Sequence, residues 1–157
     1  MIDVSIPGFG IVAVSHLVLD MNGTIASGGV IHESLRTPLS ALKSLLAVHV
    51  ISADTFGTLE AMATSFGLQW HLLPRGEPEA AGKQAFVREL DPSRVIAMGN
   101  GNNDALMLED ARVGICVIGQ EGAGKDAIHA ADIVVHDPMD GLNLLLEPAG
   151  MKATLRR

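Results

Sequence analysis

Three short polar stretches carry the residues able to do chemistry, and each follows an apolar run. Asp20, Asn22 and Thr24 come after His16 to Leu19; Ser52 and Asp54 come after Val48 to Ile51; Asn100, Asn103 and Asp104 come after Arg94 to Met98. A carboxylate at the end of a buried strand, followed by a glycine turn such as the one at Gly23, suits a nucleophile or a metal ligand. Helix N-termini after such strands favour an anion in the same place. A phosphate bridged by a divalent cation meets both conditions. Singly, each residue has a plainer reading: Asp20 as a turn or cap residue, Ser52 as an N-cap, the asparagines of 100 to 103 as turn formers, Lys83 as a solvated helix residue. Their order along the chain, and the common sheet edge that order implies, favour the chemical reading.

The elements that must position them follow from periodicity. Ile2 to Ile6 and Ile11 to Val14 flank the turn composition Pro7 to Gly10 and predict an N-terminal β-hairpin. Strands are expected at 16–19, 48–51, 68–73, 94–98, 113–118 and 133–135. Helices are expected from Ser34, as cap, to about Leu46, then at 56–66, 78–90, 105–111, near 125–131 and near 139–146. This alternation predicts an α/β fold: a Rossmann-like parallel sheet with helices on both faces. In such a sheet the ligand site lies beyond the carboxyl ends of the strands. We read one domain over 1–157, with the hairpin at 1–14, the core at 15–147 and a solvated tail at 148–157 that holds Lys152, Arg156 and Arg157. Only a Gly-rich flap at 26–33 and one helix separate the first polar loop from the second, so no cap domain is expected.

Composition narrows the function classes. Eleven Lys and Arg against 18 Asp and Glu give a formal charge of −7, which opposes a sequence-independent grip on nucleic acid. No apolar run reaches the roughly 20 residues needed to span a bilayer, and the start MIDVSIPGFG is not a signal peptide, so a cytoplasmic, non-membrane protein is expected. The single cysteine, Cys116, sits in an apolar run and reads as a buried small hydrophobe. The six histidines, at 16, 32, 49, 71, 129 and 136, show no paired helical spacing for zinc, and Trp70 reads as a packing residue.

On these residues the chain resembles the haloacid dehalogenase superfamily of phosphoryl-transfer enzymes, and within it the phosphorylation domain of P-type ATPases. LVLDMNGTIA at 17–26 is similar to the first family motif, DxDGT, or DKTGT in the transporting ATPases. ISAD at 51–54 looks like the second motif, Lys83 has a position suited to the third, and GNGNND at 99–104 resembles GDGxND. VGICVIGQEGAGKDAIHAADIVV at 113–135 looks like the segment that follows in P-type ATPases. The resemblance implies a capless core in which Asp20 forms an aspartyl-phosphate. Mg²⁺ would lie among Asp20, the Asn22 backbone carbonyl, Asn100 and, directly or through water, Asp104. Thr24, Ser52, Lys83 and Asn103 would contact the phosphoryl group, with Lys83 also offsetting the charge of Asp20.

Two departures matter. Family phosphatases use an Asp as general acid and base where this chain has Asn22, and an amide cannot shuttle that proton, so turnover is expected to be slow. Asn100 replaces a metal-binding Asp, which predicts weak metal affinity. The implied substrate is a phosphorylated small molecule or a protein-borne phosphate, with closure of the site by a homo-oligomer as an open option. Two other readings stand beside this one. Residues 119–126, GQEGAGKD, nearly match a P-loop but end in Asp126 where a hydroxyl belongs. The fold could also be catalytically degenerate and serve as a binding or regulatory protein.

Overall fold

The computed structural model describes all 157 residues. Strands β1 (Ile2–Ile6) and β2 (Gly10–Val14) form the expected antiparallel hairpin. β3 (His16–Asp20) enters the core, and a small flap hairpin, β4 (Ala26–Ser27) with β5 (Val30–Ile31), follows it. Then come α1 (Arg36–Leu42), β6 (Ala47–Ser52), α2 (Leu59–Ser65), β7 (Gln69–Leu72), α3 (Glu79–Glu89) and β8 (Val95–Gly99). The chain closes with α4 (Ala105–Asp110), β9 (Val113–Val117), α5 (Lys125–Ala130), β10 (Ile133–Val135), α6 (Pro138–Leu146) and α7 (Pro148–Leu155).

Six strands pair in parallel in the order β10-β9-β8-β3-β6-β7. The chain runs outward from β3 through β6 to β7, then returns to β8 on the other side of β3. The order therefore reverses between β3 and β8, where an open parallel sheet leaves a crevice at its carboxyl edge. Asp20, Ser52 and Gly99 each end a strand at that edge.

Both sheet faces are buried, which is why the strands read as continuous apolar runs rather than alternations. Leu17, Leu19, Val48, Val50, Ile96 and Met98 pack into one cluster with Leu39 and Leu42 of α1 and Leu142 and Leu145 of α6. Val18, Ile51, Val95, Ala97 and Cys116 face the other way, against Val87 of α3 and Met107 and Leu108 of α4. No helix is long and apolar enough to cross a membrane.

The structure corrects four expectations, three on element bounds and one on burial. The helix expected from Ser34 to Leu46 is a 3-10 turn at Glu33–Leu35 followed by α1, with no Ser34 cap bond, and it ends at Leu42 because the backbone N–H groups of Leu45 and Leu46 fold back onto the Leu42 carbonyl. The helix expected from Phe56 starts at Leu59, because Asp54 Oδ1 accepts the N–H groups of Thr58 and Leu59. Trp70 is not a core residue: it is 38% exposed on β7, an edge strand with one neighbour. Residues 148–155 are a helix rather than a solvated tail, since Met151 and Leu155 bury their side chains in the core that also holds Ile2 and Ile6 of β1.

Candidate active site

β3 delivers Asp20 to the crevice with its side chain on the face covered by α3, as the alternation from His16 through Val18 requires. From α3, Lys83 reaches down between two carboxylates. Its Nζ donates to Asp20 Oδ1 and to Asp104 Oδ1, both at 2.6 Å, and it is only 1% exposed. A lysine that the sequence alone would leave in solvent is the bulkiest fully buried side chain of the molecule.

The electrostatics follow from counting charges. Two buried carboxylates share one ammonium, so the cluster carries an excess negative charge. Burial, and then the neighbouring Asp104 charge, push the Asp20 carboxyl up to about 7, against the pull of Lys83 and Thr24. Burial pulls the Lys83 ammonium down, but the two carboxylates outweigh it and hold the group above the usual lysine value. Replacing Lys83 with Met should therefore cost about 3–5 kcal/mol in urea unfolding at neutral pH, the range for an uncompensated buried ion, and less in acid where the carboxylates take up protons. A cost below about 1 kcal/mol would mean that something else screens the pair.

Both oxygens of Asp104 are engaged. Its Oδ1 holds Lys83, and its Oδ2 accepts the N–H groups of Asn100 and Gly101 at 2.9 Å each. It shapes the loop that presents Asn100. Thr24 Oγ1 lies 3.0 Å from Asp20 Oδ2 and 3.3 Å from Asn100 Oδ1. A hydroxyl has one proton to give, so two oxygens converge on a donor that satisfies only one of them. That convergence, next to an excess negative charge, fits a hard divalent cation. No three His, Cys, Asp or Glu side chains gather as a metal-binding group, so the donor set has to mix the Asp20 carboxylate with amide oxygen.

Ser52 Oγ accepts the N–H of Asp54 at 2.9 Å, which leaves its hydroxyl proton free to donate. Asp54 itself caps α2 and takes no part in the cluster. Asn22, expected at the metal through its backbone carbonyl and at the general acid and base position, turns its side chain to the flap: its Oδ1 accepts the Gly29 N–H at 3.0 Å. Thr58 Oγ1 donates to the Gly29 carbonyl at 2.6 Å, so both polar groups of Gly29 are held by residues that follow different strands. Gly29 has φ of +80°, and a Cβ there would lie 2.7 Å from both Phe56 and Thr58, so only glycine fits. The sequence offers Gly29 only as part of the Gly-rich flap and holds no signal linking it to Thr58. Asn103 is not brought to the cluster either: its amide donates to Glu79 Oε2 at 2.7 Å on the exposed rim. The near-P-loop at 119–126 spends two of its N–H groups on the 99–104 loop: Gly124 N–H donates to Asn100 O at 2.7 Å and Asp126 N–H to Asn102 Oδ1 at 3.1 Å. A polar cavity of about 430 Å³ borders the site across Gly23 and Thr24, with Ser27, His32, Gln120 and His136 on its other walls.

No family model matches the chain. The uncharacterized protein MJ0073 of Methanocaldococcus jannaschii is 52% identical over 73 residues, which are 46% of this chain and 78% of that one. This chain and MJ0073 belong to one family. A copper-exporting P-type ATPase of Staphylococcus epidermidis is 28% identical over 136 residues, 85% of this chain but only 16% of the ATPase. In structure, a 3-deoxy-D-manno-octulosonate 8-phosphate phosphatase of Moraxella catarrhalis superposes with a TM-score of 0.68 at 16% identity, over 91% of this chain and 94% of the phosphatase. The fold is that of haloacid dehalogenase hydrolases. The chain's sequence likeness runs to the P-type ATPases, and the haloacid dehalogenase fold explains why the Asp20 and GNGNND loops meet at the order reversal of the sheet.

Proposed function

We propose that this haloacid dehalogenase domain is a divalent-metal-dependent phosphohydrolase that works through an aspartyl-phosphate at Asp20. The observation that carries this reading is the Lys83 ammonium held 2.6 Å from both Asp20 and Asp104 in a buried charge cluster at the sheet crevice. The phosphatase relative is described in complex with magnesium and phosphate ions, which supports the same chemistry here, with Mg²⁺ as the cation.

Asp20 Oδ2 and Asn100 Oδ1, with the Asn22 carbonyl, would hold the cation, which when bound neutralises charge between the carboxylate and a phosphate dianion. Asp20 Oδ1 attacks phosphorus in line; the Oδ1–P bond forms as the bond to the leaving oxygen breaks, and that oxygen departs with the electron pair. Lys83 and the Ser52 hydroxyl offset charge on the transferred group. The leaving oxygen takes its proton from water, because Asn22 has none to give. Water then attacks phosphorus, releases phosphate and restores the Asp20 carboxylate. The substrate in this reading is a phosphorylated small molecule or a protein-borne phosphate with a polar leaving group, matching the cavity beside Thr24. Incubation with acetyl phosphate or beryllofluoride and Mg²⁺, followed by mass or NMR detection at Asp20, tests it; an unmodified Asp20 under both reagents overturns it.

Asn100→Asp adds a carboxylate facing the cation and should tighten Mg²⁺ binding at least about tenfold, as read by calorimetric titration. Unchanged affinity would remove Asn100 from the metal site. A second reading has one specific support: with Asn22 spent on the Gly29 N–H, the domain would bind phosphate-bearing ligands without turning them over.

A further inference from the structure

Below the crevice, on the same sheet face as Asp20, three imidazoles form a continuous row. His16 Nδ1 lies 3.2 Å from His49 Nε2, and His49 Nδ1 lies 3.2 Å from His71 Nε2. His16 comes from β3, His49 from β6 and His71 from β7, and the register sets each ring further along its strand than the last, so the row climbs diagonally toward the carboxyl edge. His49 uses a different nitrogen for each neighbour, so the lone pairs do not converge on a point. The arrangement is a hydrogen-bonded chain of rings. From α3, Phe86 packs against it, with ring centroids 4.1 Å from His71 and 5.5 Å from His49. Lys83 lies one turn earlier on the same inward face of that helix.

Proton counting defines what the row can accept. Three neutral imidazoles carry three N–H groups, two between the rings and one at an outer nitrogen. A fourth proton is accommodated when His49 donates from both nitrogens. A fifth sets N–H against N–H and breaks a bond. The charged groups beside the row are Arg94, near His16, and Glu89, near His71, and no carboxylate forms an ion pair with any of the three rings. Burial lowers all three groups, joined at His16 by Arg94 and at His49 by the flanking imidazoles, which take His49 to about 4; Glu89 opposes the shift at His71.

We propose that the His16–His49–His71 row is a pH-sensitive prop beneath helix α3: neutral, it seats Phe86 and with it Lys83; charged by more than one proton, it parts and lets the helix lift from the sheet. This holds whether or not Asp20 takes phosphate. The sign is fixed by linkage. All three groups sit below their unfolded value of about 6.5, so the seated state is favoured above that pH and lost as pH falls through the folded values, by up to tenfold per pH unit for each proton taken up.

The test is amide hydrogen exchange on the full chain, corrected for intrinsic rates, between pH 7.5 and 4.5, with long-range ¹H–¹⁵N NMR of the imidazoles. Protection in 79–89 should fall at least tenfold by pH 5 while that in 138–146 holds, and at pH 7.5 each inter-ring contact should pair one protonated with one unprotonated nitrogen. His49→Phe should flatten the fall; if it does not fold, His71→Phe at the half-buried end serves the same purpose. Independent titration of the rings near their ordinary value, equal loss from α3 and α6, or an undiminished fall in the folded variant would overturn the proposal.

Discussion

Asp20→Asn should lower phosphoryl transfer by at least about 10³-fold while leaving the fold intact or strengthening it. The amide has the same shape: its oxygen can still accept from Lys83, and its NH2 can donate to Thr24 Oγ1, whose own proton then turns to Asn100 Oδ1, but it has no charge to attack phosphorus. Its effect on the buried cluster runs the other way. Removing one of two carboxylates takes the Lys83 site from an excess negative charge to neutrality, and it removes a group that burial and Asp104 already push up to about 7. Loss of labelling by acetyl phosphate with an unchanged or raised urea midpoint is the expected pair of results. Labelling at the wild-type level would assign the nucleophile elsewhere, and joint loss of labelling and stability would make Asp20 a structural brace.

Asn22→Asp should raise steady-state hydrolysis by about 10²–10⁴-fold, the usual worth of a positioned general acid and base, and shorten the life of the phosphoenzyme. The carboxylate can still accept the Gly29 N–H that Asn22 Oδ1 holds at 3.0 Å, so the flap keeps its anchor. A protonated carboxyl can also deliver a proton to the leaving oxygen, which the amide cannot. Burst and steady-state measurements separate the effects: phosphoenzyme formation gains from acid help, and its decay gains from base help. An unchanged rate in a folded variant that still phosphorylates would show that position 22 is committed to the flap alone.

The sheet was legible because both its faces are buried, so every central strand is an apolar run ending at a polar loop. The core of the site was legible for the same reason: Asp20 and the 99–104 loop end neighbouring strands, and Lys83 lies between them. Other features depend on topology that local pattern does not encode. Trp70 looks like core material until β7 proves to be an edge. Lys152 and Arg157 look like a charged tail, but Met151 and Leu155 of the same segment join the core. The histidine row joins residues 33 and 22 positions apart, spacings that parallel strands create and no helical period suggests. Asn103 matches its motif yet faces Glu79, because the residue that fixes the loop is its neighbour Asp104.

Gly29 sets a limit on how this molecule can choose among ligands. Its N–H is held by Asn22 and its carbonyl by Thr58, so the hairpin tip cannot swing without breaking a bond on each side. The doorway above Asp20 thus keeps a constant outline, and selection rests on the contour and wetness of what arrives rather than on a gate that shuts behind it. In the proposed reaction, the lifetime of an acyl phosphate at Asp20 would therefore be governed by proton supply rather than by the closing of a flap.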